Sequence, residues 1–553
     1  MGLRPAGPAT KPSQSSSGCT RTQGTPTNEP EGALKETSSS PLTVDAGGQL
    51  RYFGYSSYMR MMSVIPRAKS SPTQPAKSSS GDRSSNIVEA EGLADNPQNQ
   101  RHLIDLFFEY QNGAIPILDE EAFRLGSLNF DGKQPYRETL AIIYTRRAKA
   151  ELLFELENPN IATIPGLCLF GYYLAGLGSD RACWLYPGIA YRLVFDFGLH
   201  EDCNNLVAAG LLTGIDQRVR QITLYGCYVL DKLYSSYQGR PTAIHLDDLH
   251  VPQFSAHTMG TSYQLMAAWV ELASILNDVL SMINGSLARI YQDTSVSKLS
   301  KASQKLLVWF NKLPPKLQWN ADHPISPGVC ALHVQFLSTT ILLNRPFAAY
   351  IFNRDTKSAS RRCLEGQTPK SSQQLCTTNA IRISKLLLAY KQYHGASKIF
   401  STINPACLSA SVALISDITS AGPGEAKIEE RKWLGAILET LQDIIKWYPI
   451  AERSLDTLAA VMNTCGLSSI LKQLAKNSGD AQVEPLSDNG ITEVAGTNWN
   501  FDADLSFGLG SLFDPLYDVH NLGLPGIYAQ PLQMMDFGGW DLQDSINNAQ
   551  FNS

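Results

Sequence analysis

The amino-acid sequence predicts an all-α protein: an irregular multi-helix body flanked by disordered N- and C-terminal segments. Three observations predict it. From Arg101 to about residue 476, apolar residues recur at helical spacing, and no stretch alternates convincingly with period two. Residues 1–48 include 27 Ser, Thr, Pro or Gly, too little apolar surface to offset the entropy of ordering. From Asn477 to Ser553 there are eleven acidic residues and no Lys or Arg.

The elements follow in chain order. A short island, Gly47–Met62 (GGQLRYFGYSSYMRMM), interrupts the polar first hundred residues, and 67–100 is again low in complexity. Leu103, Leu106, Phe107 and Tyr110 lie on one face of a first helix, which Pro116 ends. A second helix is expected over 140–156, and a nearly all-apolar one over 167–177 with Pro165 in its first turn. Asp180 is placed to cap the next, which carries Trp184, Leu185, Ile189 and Leu193 and closes at Gly198. Ile222, Tyr225, Val229, Leu233 and Tyr237 mark a helix closed by Gly239 and Pro241. A long helix over 263–291 and a shorter one ending at Phe310 precede the breaker LPPKLQW. Leu332, Phe336, Thr339 and Leu343 form a further stripe stopped by Pro346, and helices over 376–393, 406–419, 432–448 and 454–474 complete the body.

Composition narrows the class. At roughly 150 residues per domain, 553 residues make three or four units. Hydrophobic content of 43% and charged content of 18% suit a globular body with polar extensions, and a net charge of −5 argues against a basic nucleic-acid coat. The ten cysteines never come closer than thirteen positions and form no Cys-x2-Cys, which points to a reduced compartment. The N-terminus has no apolar stretch of the signal-peptide kind, and Ala6 stands where a myristoylation motif needs Ser or Thr. No uninterrupted apolar run reaches about 18 residues, so no membrane association is expected.

Several motifs have a structural reading beside a chemical one. His245–His250 (HLDDLH) resembles a metal site in composition, but a turn opened by its Asp residues is the simpler account. Leu199–Cys203 (LHEDC) gathers Cys, His and carboxylate without a catalytic signature and is read as a helix C-terminus. Neither GLG, at 176–178 or 508–510, follows a strand, so neither is a dinucleotide loop. Tyr172, Trp184, Tyr225 and Trp309 are assigned to packing, and Arg240 and Arg345 to the free carbonyls of helix ends. In the tail, acids alternate with Trp499, Phe501, Phe507, Phe513, Tyr517, Phe537 and Trp540. That pattern keeps aromatics in water and open to capture by a partner groove.

Ordered elements, taken together, carry a resemblance. GGQLRYFGYSS, then LIDLFFEY with IPILDEEAF (Pro116, Ile117, Leu118, Phe123), lead into two apolar helices, a GRP turn and the exit DDLHVP. KLPPKLQW (Leu313, Pro314, Leu317, Trp319) and LHVQFLSTTILLNRPF (Leu332, His333, Arg345, Pro346) follow. The chain resembles the fungal zinc-cluster (Zn2Cys6) transcription factors in their regulatory domain, the middle homology region also found in xylanolytic activators. The resemblance implies a helical regulatory domain over 101–476, an RYFG-type element at 47–62 and an activation region over 477–553. It further implies a non-enzymatic regulator of RNA polymerase II genes of a metabolic or biosynthetic pathway, acting in the nucleus. Implied partners are co-activators or transcription machinery for the acidic tail, a small-molecule effector for the helices, and a second copy or related chain as dimer partner.

Two departures stand beside that resemblance. The family's zinc cluster needs six cysteines beginning Cys-x2-Cys-x6-Cys, and here only Cys19 precedes Cys168. Zinc is therefore expected of the family and not held by this chain. DNA contact would come from an upstream zinc cluster or through a partner. A helical interaction scaffold without direct DNA binding is the alternative. Between Tyr136 and Leu153 two family elements run nearly together, as if an intervening helix were lost.

Overall fold

The computed structural model describes residues 42–44, 50–52, 56–57, 97–126, 148–152, 154–252, 261–284, 290–319, 324–350, 363–421 and 426–471. The tail aromatics Trp499 to Trp540, the apparent deletion and Cys19 lie outside them. In chain order the described residues form a ribbon of β1 (Leu42–Val44) and β2 (Leu50–Tyr52), then thirteen α-helices. These are α1 (Pro97–Leu106, continued by a π turn Phe107–Gln111), α2 (Glu120–Gly126), α3 (Thr163–Gly176), α4 (Ala182–Asp196), α5 (Asn204–Ala208), α6 (Gly214–Gln238) and α7 (Thr261–Ile283). Then come α8 (Asp293–Asn311), α9 (Pro327–Asn344), α10 (Pro369–His394), α11 (Ile403–Thr419), α12 (Ile428–Ile444) and α13 (Ile450–Thr464). Residues 148–152 and 154–157 are helical as well; the first part of the helix expected over 140–156 lies outside the described residues.

The all-α expectation holds for the body, with one addition. The island that carries the RYFG element pairs with Leu42–Val44 as an antiparallel ribbon, Leu42 opposite Tyr52 and Val44 opposite Leu50. Three residues a side are too few to show a period. The ribbon is fastened to the C-terminus of α7: Tyr52 Oη donates to Asn284 O at 2.8 Å, and Ser56 N donates to Asn284 Oδ1 at 2.9 Å.

Local chemistry sets the helix ends. Thr213 and Asp216 form a reciprocal capping box on α6, as Thr368 and Ser371 do on α10 with Pro369 at its first position. That box starts α10 seven residues before the apolar pattern does, because its first turns are polar. Gly239 (φ 65°) and Gly198 (φ 59°) take the left-handed conformation past α6 and α4, as expected. Asp180 does not cap α4: Arg181 occupies the cap without a side-chain bond, and Asp180 Oδ2 accepts from Arg453 at 2.8 Å instead. That ion pair ties the start of α4 to α13, a contact between distant segments that no local rule signals. The long helix expected over 263–291 ends at Ile283, and α8 begins only at Asp293.

The helices pack in succession: α3 on α4 and α6, α6 on α7, α7 on α8 and α9, α9 on α10, then α10 to α13 on one another, with α13 returning to α3. One apolar core runs through them. By length and composition α7 is apolar enough to cross a bilayer, but 67% of that span is buried inside the protein. Trp269 of α7 is 1% exposed and donates its indole N–H to Ala114 O at 2.9 Å. Close approach requires glycine at Gly226, where a Cβ would lie 2.8 Å from Pro116 O and 2.9 Å from Ile117 Cα. The IPILDE loop thus rests directly on the α6 backbone.

Candidate functional site

Helix α6 carries two buried polar groupings within seven residues. The first is Asp231–Lys232, both wholly buried, with Lys232 Nζ 2.7 Å from Asp231 Oδ2. Asp231 also accepts from Ala243 N at 2.9 Å and Ile244 N at 3.0 Å, while Lys232 donates to Ile244 O. The ammonium lies 4.5 Å from the Tyr228 ring centroid. Burial lowers the Lys232 pKa, opposed by the Asp231 charge. Further along, Tyr225 Oη donates to Val251 O at 2.8 Å. Both ends of the segment from the GRP turn to the VP exit are therefore pinned to α6.

The second grouping is an unsaturated cavity. Its volume is ≈ 70 Å³, room for about five water-sized positions at ~10–15 Å³ each. Leu230, Leu233, Tyr234 and Tyr237 face it from α6, and Gln335, Ser338, Thr339 and Leu342 from α9. Both sets fall at i, i+3, i+4 and i+7, one side of a helix. Tyr172 and Ala175 of α3, Ser401 to Ser409 around the start of α11, and Ile450 of α13 close it. Among the described residues that line it, none is charged.

Hydrogen bonding separates this lining from the clamp. Tyr234 Oη, Tyr237 Oη, Ser338 Oγ, Ser409 Oγ and both amide atoms of Asn404 are buried without a hydrogen-bond partner among the described residues. Asn404 is 1% exposed. Burial raises the Tyr234 and Tyr237 hydroxyl pKa values well above the ordinary phenol value, so both stay protonated as donor and acceptor. Burial also raises Tyr172, opposed by hydrogen bonds to Ser401 and Thr402. Other partnerless groups, such as Tyr191 Oη and Trp309 Nε1, do not belong to the lining.

The sequence motifs come to rest as follows. Tyr225 and Trp309 are core residues, and Trp184 packs partly buried on the core beneath the Arg240 guanidinium, 5.0 Å from its ring centroid. Arg240 thus stacks on an aromatic face at the C-terminal end of α6. Tyr172, assigned to packing, lines the cavity. Arg345 is buried in a 3-10 turn after α9. The HLDDLH stretch is a short 3-10 turn at Leu246–Asp248, and His250 Nδ1 pairs with Glu201 at 3.0 Å. Leu199–Cys203 follows the end of α4, with Cys203 buried at the start of α5. His333 and Leu317, from two separate motifs, meet: the imidazole Nε2 lies 2.8 Å from Leu317 O. Asp231–Lys232 and the cavity were missed by motif reading. Two adjacent charges inside an apolar helix were the available signal for the first; the second is assembled from five segments and has none.

Eight of the nine cysteines among the described residues are buried, Cys363 is half-buried, and no group of three His, Cys, Asp or Glu among the described residues is placed to share an ion.

Residues 127–321 match the fungal specific transcription factor domain. The chain is 24% identical over 407 residues to an uncharacterized transcriptional regulatory protein of Schizosaccharomyces pombe, covering 65% of this chain and 64% of that one. It is 25% identical over 418 residues to the nitrogen assimilation transcription factor nit-4 of Neurospora crassa, covering 64% of this chain and 36% of that one. To nirA of Emericella nidulans, a nitrogen assimilation transcription factor, it is 25% identical, covering 65% and 44%. The chain therefore spans between about a third and two thirds of the length of these relatives. No solved structure matches significantly. The domain match covers α3 to α8, while α9, α11 and α13, which supply the rest of the cavity wall, follow it.

Proposed function

We propose that this chain is a fungal regulator of transcription, acting in the nucleus on RNA polymerase II genes of a metabolic or biosynthetic pathway. The observation that carries the proposal is the fungal specific transcription factor domain at 127–321, with similarity to fungal regulators extending over about 65% of the chain. In this reading the helical body controls the acidic-aromatic tail from Asn477 onward, which engages co-activators or transcription machinery through aromatics such as Phe501, Phe507 and Phe513. DNA contact comes through a zinc cluster outside this sequence or through a DNA-bound partner of the same family.

Fusing residues 477–553 to a foreign DNA-binding domain, with a reporter gene, tests the proposal. Activation is expected, and it should weaken when residues 97–553 are fused instead, because the helical body is included. Reporter silence with a stably expressed fusion would remove the activation role and leave a helical interaction scaffold.

A further inference from the structure

We propose that the cavity between α3, α6, α9 and α11 binds an uncharged small molecule of the carboxamide or lactam class, with Asn404 as its principal contact. Asn404 is buried and holds both an open donor, Nδ2, and an open acceptor, Oδ1. An amide in that condition pairs edge to edge with a group that shows an acceptor beside a donor, as another amide does. Tyr234, Tyr237 and Ser409 add hydroxyls that either give or take a hydrogen bond. Leu230, Leu233 and Leu342 offer an apolar wall for the remainder of the ligand.

Charge selects against the competing classes. An anion or cation entering this space would lose its hydration without meeting an ionised side chain from the lining. Asp180 and Arg453, whose charges both act on Tyr237, are paired with each other at 2.8 Å. The ≈ 70 Å³ of the cavity suits a ligand, or the part of one, of a few non-hydrogen atoms. Buried polar groups left unpaired are costly, so their concentration around one cavity is a reserve of binding energy for a ligand that completes them.

The site is independent of the regulatory proposal as a binding site and rests on it only for its consequence. The test uses the full chain with an isosteric pair of probes, isobutyramide and isobutyrate, followed by ligand-observed NMR and thermal shift up to tens of millimolar. Isobutyramide is expected to bind at least about tenfold more tightly than isobutyrate. The variant Asn404→Leu keeps the volume, removes both open amide atoms, and should melt no lower than the parent while losing about tenfold or more in isobutyramide affinity. Tyr237→Phe, which deletes only an unbonded hydroxyl, should weaken binding severalfold and is the second readout if Asn404→Leu does not fold. Equal binding of the two probes, binding unaffected by both variants, or no binding of either probe would overturn the proposal; the last outcome assigns the open groups to water. Binding that follows the expected pattern, with no response of the tail-driven reporter to isobutyramide, would leave the site standing and remove its regulatory consequence.

Discussion

The two polar groupings on α6 lie three residues apart and could hardly differ more. Asp231 and Lys232 are ionised residue types with no exposed surface, yet every direction around them is filled by a partner: each other, the Ala243 and Ile244 amides, the Ile244 carbonyl and the Tyr228 ring. Tyr234 and Tyr237 are neutral, nearly as buried, and their hydroxyls find no partner among the described residues. The contrast teaches how to separate a structural polar group from a functional one. Burial alone does not do it, and neither does charge. A saturated group holds the fold, because its desolvation has been offset inside the protein. An unsaturated group beside a cavity has that compensation outstanding.

The comparison breaks most readily at the clamp. Asp231→Ala leaves the Lys232 ammonium buried without its counter-ion and should cost about 3–5 kcal/mol, read from chemical denaturation of the full chain. A loss below about 1 kcal/mol would mean that the pair is not holding the GRP segment. Gly226→Ala comes next. Its Cβ would sit inside contact distance of the Pro116–Ile117 backbone, so about 1–3 kcal/mol is expected, with the loop before α2 becoming the first site of proteolysis. An unchanged midpoint would deny the close packing of that loop on α6.

A third buried polar residue extends the rule beyond α6. Burial lowers the His333 pKa below its ordinary 6.5, opposed by the hydrogen bond to Leu317. Below 6.5 the unfolded chain therefore binds protons that the folded chain refuses. The stabilisation is complete above that pH and is lost as pH falls through the folded value. Denaturation midpoints measured on both sides of 6.5 should fall on the acid side, and His333→Gln, which retains an N–H for Leu317 O, should flatten that fall. The smallest effect is expected at the cavity itself. Tyr234→Phe removes a hydroxyl without a partner and should change stability by no more than about 0.5 kcal/mol in either direction. A large loss there would mean the hydroxyl is bonded after all and would erase the contrast with Asp231.

How much of this was legible in the sequence depends on the range of the interaction involved. Helix identities followed from apolar spacing, and ends such as Gly198 and Gly239 followed from residues that tolerate left-handed backbone. Starts were harder: α10 opens on a polar turn whose Thr368–Ser371 box falls outside the apolar pattern. Asp180 was misjudged because a carboxylate near a helix start has a local use, and the competing Arg453 lies 273 residues away. Tyr172 was read as packing for the same reason. Its aromatic ring does pack, and only the approach of Ser401, Thr402 and Asn404 makes it part of a cavity.

The sequence by itself determined the all-α body, the order of its helices and the likeness to fungal transcription regulators, since propensity, capping and motif order are written in neighbouring residues. Tertiary structure alone decided which polar groups are saturated. Asp231 meets Ala243 and Ile244 because the GRP turn folds back, while the side chain of Asn404 meets no partner among the described residues because four other segments stop short of it. A hydrogen bond needs its partner within about 3 Å, and that distance is set by packing, not by sequence separation.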